Sequence, residues 1–378
     1  MKRSEAIKKI RRRIKRVIDG AKSYCVGREQ ASITEMLAYA TLSKEHVCLI
    51  GPPGCNKSQS IDYWTQHLTR EEHATFRVTL SKESSPETII GPFDPRALKE
   101  RGAWVRNLEN TIADERVKFA HISEIFSARG STLRELVRIL NEREIENGGR
   151  RIKLNLQTVF ADSNYFPPEE NDAVFDRFLF RAEIGYLPTS DRKTFAAMVA
   201  SSDMCASSQN GVPHIGCNAL EIARDDIEKR VEIPDAVVHE VFGLRADMAS
   251  PSKSGSMISD RRWKRSIHAL RAVAWCRDSY KVDLRDLYAL RFTLFDGTNA
   301  NELKDRLEQY KHVEPEEHDE EYIAQCENIY THAIESGDGG IIANAIAQLE
   351  ETRTQLAADT SRSKIDVWVD TLTGRMTV

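Results

Sequence analysis

Gly51-Pro52-Pro53-Gly54-Cys55-Asn56-Lys57-Ser58 decides how the rest of this chain is read. A short apolar run, His46-Val47-Cys48-Leu49-Ile50, precedes it, and Gln59 and a helical pattern over 57–68 follow. Strand, glycine-bearing loop, Lys-Ser and helix in that order make the phosphate-binding loop, G-x-x-x-x-G-K-[ST]. Loop N–H groups and the helix N-terminus form an anion site. In that arrangement Lys57 reaches the β- and γ-phosphates and the Ser58 hydroxyl holds Mg²⁺. Gly51, Pro52, Gly54, Cys55 and Asn56 line the same loop. Asn56 stands where a second glycine is usual, and Asn tolerates left-handed backbone better than most side chains. The competing reading is a chance match in a glycine turn.

Composition sets the frame. The chain has 378 residues, enough for two or three domains, with 40% apolar and 30% charged residues. A net charge of −4, from 54 basic and 58 acidic residues, demands no nucleic-acid or anionic-membrane partner. No apolar run approaches a membrane span, and residues 1–20 lack a secretory apolar segment. The seven cysteines are scattered without a C-x-x-C pair, which argues for free thiols in a reducing cytoplasm and against a zinc site.

Around the octet, strands and helices alternate. Apolar runs at 46–51, 75–81, 116–123, 156–162 and 178–184 predict a buried, largely parallel sheet with helices on both faces. Ligands of such sheets sit beyond the carboxyl ends of the strands. Residues 2–20 predict a basic amphipathic helix with Ile7, Ile10, Ile14, Val17 and Ile18 on one face. It either docks by its isoleucines or serves as a basic arm. After Leu187 the pattern is mostly helical to about 312, broken by the loop-like stretches 201–216 and 251–256. The acidic run 314–321 reads as a linker, helices are expected at 320–336 and 340–360, and Lys364–Val378 alternates like a β-hairpin turning at Thr373-Gly374.

Further residues fit a nucleotide site. The third strand ends at Ser123-Glu124. Glu124 is placed to polarise an attacking water, while Ser123 stands where an aspartate usually helps hold Mg²⁺. The fourth strand ends Ala161-Asp162-Ser163-Asn164, putting Asp162 and Asn164 on one face. Asn164 can orient the water. Asp162 either replaces charge missing at Ser123 or is an ordinary strand-end acid. Arg177, before the fifth strand, suits a charge offered to a neighbouring subunit's phosphate, or a surface salt bridge. Ser259 reads as an N-cap, and Arg261 or Arg262 behind it can reach back to the phosphates.

With these elements in one order, residues 25–312 resemble the AAA+ ATPases, and within them the MoxR branch, RavA-like members above all. The quoted likenesses are Gly51–Ser58, Ser123–Ala128 with Leu140–Arg143, Glu87–Phe93 through Ala97–Gly102, Ala161–Asn164, Phe175–Phe178 and Ser259–Lys264. The resemblance implies an α/β core with a five-stranded parallel sheet of order 5-1-4-3-2 and an all-α lid. With the basic helix before it and the linker and helical C-terminal extension read after it, the domain division is 1–28, 29–187, 188–312 and 313–378. It implies ATP and Mg²⁺, with Lys57 and Ser58 as the Walker A residues and Glu124 as the Walker B glutamate. Asn164 becomes sensor 1, Arg177 the arginine finger and Arg261 sensor 2. It also implies a homo-oligomeric ring, usually a hexamer, a partner with a von Willebrand factor A domain, and chaperone-like remodelling of a client complex. Residues 87–102 correspond to an insertion that faces the pore. Two other readings stay open. One is a nucleotide-gated assembly module with little turnover, motivated by Ser123 and Asn56. The other is a nucleic-acid motor, supported by the basic helix and opposed by overall acidity.

Overall fold

A computed structural model describes residues 3–24, 28–167, 172–187, 189, 212–248, 258–297, 299–311, 318–353 and 359–376. Among the described residues there are seven strands: β1 Val47–Ile50, β2 Thr75–Thr79, β3 Phe119–Ser123, β4 Glu144–Asn147, β5 Arg150–Lys153, β6 Thr158–Ser163 and β7 Phe180–Glu183. Five of them form one sheet in the order β2-β3-β6-β1-β7. Every pairing in it is parallel. Numbered along the chain, these five give 5-1-4-3-2, as the resemblance implies. All residues of β1 and β6 are buried, which is why β1 and the centre of β6, Val159–Ala161, read as apolar runs. The sheet order reverses at β1, and the glycine loop leaves β1 there, at the carboxyl edge where such sheets bind ligands.

The basic helix spans Arg3–Tyr24. Ile7, Ile10, Ile14, Val17 and Ile18 are all buried. The Tyr63 hydroxyl, on helix Lys57–Leu68, donates to the Val17 carbonyl at 3.4 Å. Its isoleucines dock it beside the phosphate loop's own helix, so apolar burial, not its charge, sets its place.

The described chain falls into two compact units, one of Met1–Asp225, Ser254–Ala269 and Arg291–Leu303, the other of Asp226–Lys253, Leu270–Leu290 and Lys304–Val378. The second unit ends in helices His318–Ser336, Gly339–Arg353 and Asp359–Met376. Cys326, Ala333, Ile342, Leu349, Ile365, Trp368 and Leu372 form their shared core.

Two expectations change. The hairpin expected at 364–378 is the helix Asp359–Met376. Ile365, Trp368 and Leu372 recur at helical spacing and are buried, whereas Val367, which made the alternation look like a strand, is 63% exposed. Of the acidic stretch, residues 318–321 open a helix rather than a linker, and 314–317 lie outside the described residues. A hairpin occurs instead at β4–β5, paired antiparallel. Its turn is Gly148-Gly149, at φ 59° and 74°, the left-handed pair that tight hairpins require. Of the loop expected at 201–216, residues 201–211 lie outside the described residues, as does the whole of 251–256.

Candidate functional site

The loop is built by close backbone approaches. The N–H of Gly51 donates to Ser163 O at 3.2 Å, extending the β1–β6 ladder by one residue. A Cβ on Gly51 would lie 2.0 Å from the Ile184 carbonyl oxygen, so only glycine fits. Gly54 takes φ 84° and Asn56 φ 62°. Asn56 therefore adopts the left-handed turn that glycine ordinarily supplies here. Its carbonyl accepts from Ser60 N and Ser60 Oγ at 3.0 and 2.9 Å, which closes the first helical turn. Cys55 is buried inside the loop, its thiol donating to Pro52 O at 2.9 Å. Ser58 and Gln59 follow, half-buried, in the first turn of the helix. The described cysteines 48, 55, 217, 276 and 326 are free thiols.

Lys57 is 5% exposed, and its ammonium is satisfied by the loop itself. Nζ donates to Gly51 O at 2.6 Å, Pro52 O at 2.9 Å and Asn164 Oδ1 at 2.9 Å. A buried cation needs such acceptors, and phosphate oxygens are the stronger acceptors that can replace them. Asn164 Nδ2 in turn donates to Glu124 Oε1. Glu124 is held at φ 54°, left-handed, at the start of the turn Ile125–Ser127 that leaves β3. Residues from the loop, β3 and the end of β6 thus meet in one chain of contacts, Lys57–Asn164–Glu124. The tertiary fold alone brings them together.

Ser123 and Asp162 lie side by side on β3 and β6. Ser123 Oγ donates to Asp162 Oδ2 at 3.1 Å. Two residues missed in the sequence complete this corner. His121 Nε2 is 2.9 Å from Asp162 Oδ2, and its Nδ1 is 3.0 Å from Asp62 Oδ1. Burial alone would lower the His121 pKa, but the hydrogen bonds and charges of Asp162 and Asp62 outweigh it and raise it above 6.5. Asp62 is also pulled by burial towards a higher pKa, and His121 and Arg77 bring it below the ordinary value. The signal was present in the spacing: His121 is two residues before Ser123 on the same strand face, and Asp62 is one helical turn after Ser58. The oxygen donors Ser58, Ser123 and Asp162 carry one carboxylate among them. Such a set fits Mg²⁺, which keeps several waters and leans on substrate phosphates.

The arginines divide. Arg177 NH1 pairs with Asp176 at 3.2 Å, while its Nε is buried without a hydrogen-bond partner among the described residues. Arg261 NH2 donates to Asn141 Oδ1 at 2.6 Å, on the outside of helix Gly130–Glu142. Arg262, also expected near the phosphates, is instead 6% exposed and committed to the carbonyls of Thr293, Leu179 and Phe295. Its job here is to tie the residue that enters β7 and the segment Thr293–Phe295 to the start of helix Asp260–Cys276. Ser259 caps that helix, its hydroxyl accepting from Arg262 N at 3.3 Å.

Residues 12–220 match the family described as the MoxR domain in the MoxR-vWA-beta-propeller ternary systems. Residues 236–307 match an AAA lid domain. An uncharacterized protein of Methanocaldococcus jannaschii is 25% identical over 347 residues, 86% of this chain and 86% of the relative. A second from the same organism is 28% identical over 256 residues, 66% of this chain and 63% of that protein. Chaperone MoxR1 of Mycobacterium tuberculosis is 27% identical over 195 residues, 49% of this chain and 48% of that protein. The crystal structure of an ATPase candidate from Cytophaga hutchinsonii superposes with a TM-score of 0.62 at 19% identity, over 82% of this chain and 97% of that one. The matched family is that of MoxR rather than of RavA specifically. The order of the sheet, the left-handed phosphate loop and the match over residues 12–220 agree: this chain belongs to the MoxR branch of the AAA+ ATPases.

Proposed function

We propose that this chain binds and hydrolyses ATP as a subunit of a closed ring, a hexamer by family likeness, and spends the cycle on remodelling a protein complex. The observation that carries the proposal is the Lys57–Asn164–Glu124 chain at the carboxyl edge of the sheet. Contact among an ammonium, an amide and a carboxylate supports reading them as phosphate-seeking cation, water-orienting group and general base. ATP phosphates draw Lys57 away from the loop carbonyls. Asn164 then orients the attacking water, and Glu124 takes its proton. Arg177, with an unused buried N–H, is the charge a neighbouring subunit's site receives, and Arg261 reaches the phosphates from its own chain. Ser58, Ser123 and Asp162 would hold Mg²⁺, which would offset the negative charge developing on the phosphates.

A von Willebrand factor A-domain protein is the proposed partner, on the strength of the ternary systems named in the matched family. Among the described residues no helix is long and apolar enough to cross a membrane, and a cytoplasmic site of action is part of the proposal.

Steady-state ATP hydrolysis with and without Mg²⁺, beside Lys57→Ala, tests the reading. Magnesium-dependent turnover that disappears in the variant supports it. Absence of nucleotide binding rejects it. Ser123 favours a second reading, a nucleotide-gated assembly module with vestigial turnover. A large rate gain in Ser123→Asp is the outcome that favours this module.

A further inference from the structure

The acid that β3 lacks lies one strand over. Ile122 pairs with Ala161 in the β3–β6 ladder, so Ser123 and Asp162 are neighbours across it. We propose that Asp162 supplies the metal-facing carboxylate of this site in place of Ser123, and that His121 and Asp62 are positioning residues that hold it there. The proposal rests on the ATPase reading above and deepens it.

Three observations lead to it. First, Asp162 is 2% exposed, yet both hydrogen bonds it accepts from the described side chains fall on Oδ2, one from Ser123 at 3.1 Å and one with His121 at 2.9 Å. Oδ1 takes none, so one oxygen is fixed and the other is left for a metal-bound water. Second, the clamp is continuous. His121 reaches Asp62 at 3.0 Å, and Arg77 Nε reaches the same Asp62 oxygen at 3.3 Å. Asp62 follows Ser58 by four residues on helix Lys57–Leu68, so the clamp is anchored on the side of the helix that carries the loop hydroxyl. Third, a buried carboxylate is costly unless it is bonded or used. A packing role at this position could be filled by an apolar residue such as its neighbours Ala161 and Phe160. A serine in the acid's usual place and an acid one hydrogen bond away conserve the charge and the reach while moving them between strands.

The test is the affinity of the full chain for a fluorescent ATP analogue, measured with Mg²⁺ and with EDTA. The readout is the enhancement that Mg²⁺ confers, which a loss of general stability does not change selectively. Asp162→Asn is expected to cut that enhancement about tenfold with metal-free affinity held within about twofold, and Asp62→Asn and His121→Asn to cut it less. The exchange Ser123→Asp with Asp162→Ser is expected to restore it. Ser123→Asp alone places two carboxylates together and brings no gain. Full Mg²⁺ enhancement in Asp162→Asn overturns the proposal and leaves the ATPase reading intact, and so does a wild type that binds nucleotide without any enhancement. A wild type that binds no nucleotide in either condition overturns both.

Discussion

The ammonium of Lys57 donates to Oδ1 of Asn164 at 2.9 Å, although 107 positions separate them. The same amide holds Glu124 through Nδ2. One side chain thus holds the Lys57 ammonium and the Glu124 carboxylate, the groups proposed as phosphate ligand and base, in mutual register.

Separating the roles of these residues is the first prediction. Glu124→Gln keeps the amide contact but cannot accept a proton. Its turnover is expected to fall roughly a hundred- to ten-thousand-fold with ATP affinity retained. Lys57→Ala is expected to lose ATP binding itself. Paired equilibrium binding and steady-state hydrolysis check both, and Glu124→Gln turning over at the wild-type rate would remove Glu124 from the mechanism.

The loop's backbone makes a second prediction. Asn56 sits at φ 62°. Asn56→Gly relieves a left-handed side chain and should leave stability and nucleotide affinity unchanged or improved, whereas Asn56→Ala should cost about 1 kcal/mol. Gly51→Ala is harsher, because its Cβ meets the Ile184 carbonyl at 2.0 Å. A loss of about 3 kcal/mol and of nucleotide binding is expected. Urea midpoints across the three variants decide the matter.

Arg177 is expected to act on a neighbour. Arg177→Ala should bind ATP normally and hydrolyse it slowly. Mixing it with Lys57→Ala should recover part of the activity, because some interfaces then join an intact loop to an intact arginine. Mixtures no more active than either variant would exclude action across the interface.

A fourth prediction concerns pH. His46 is buried neutral: Nε2 bonds Leu140 O at 2.9 Å, and Nδ1 accepts from Val159 N at 3.0 Å. Burial first, then Arg143, push its pKa down to about 3. Between that value and 6.5 the unfolded chain binds the extra proton, so this contribution is intact above 6.5 and is lost as pH falls. The His121 contribution has the opposite sign: with a raised pKa it is fully present below 6.5 and does not vary in this window. Urea midpoints should therefore decline from pH 6.5 to 4 in the wild type, and more gently in His46→Gln. Parallel slopes would show that His46 does not govern the acid limb.

Local chemistry accounts for what was legible in the chain. The octet 51–58, the apolar strands and the helix Lys57–Leu68 follow from rules acting over a few residues. The C-terminal segment was not legible, because Ile365-Asp366-Val367-Trp368-Val369 satisfies a period of two as well as a helical period. Packing against Cys326, Ala333 and Leu349 settles it as a helix, since only the helical face buries Ile365, Trp368 and Leu372 together. The β4–β5 hairpin could have been found from Asn147-Gly148-Gly149, whose tight-turn preference is local.

The site divides in the same way. Sequence by itself determined the loop, its lysine and the residues at each strand end, because each depends on its immediate neighbours. Tertiary structure decided which of them touch. Arg262 looked as free as Arg261, yet burial against the carbonyls of Leu179, Thr293 and Phe295 removes it from the phosphates. Asp62, His121 and Asp162 are 59 and 41 residues apart, and only parallel pairing of β3 with β6 under the loop's helix makes them one hydrogen-bonded unit. The physical reason is that hydrogen bonds act over about 3 Å in space, whereas sequence patterns report only neighbours along the chain.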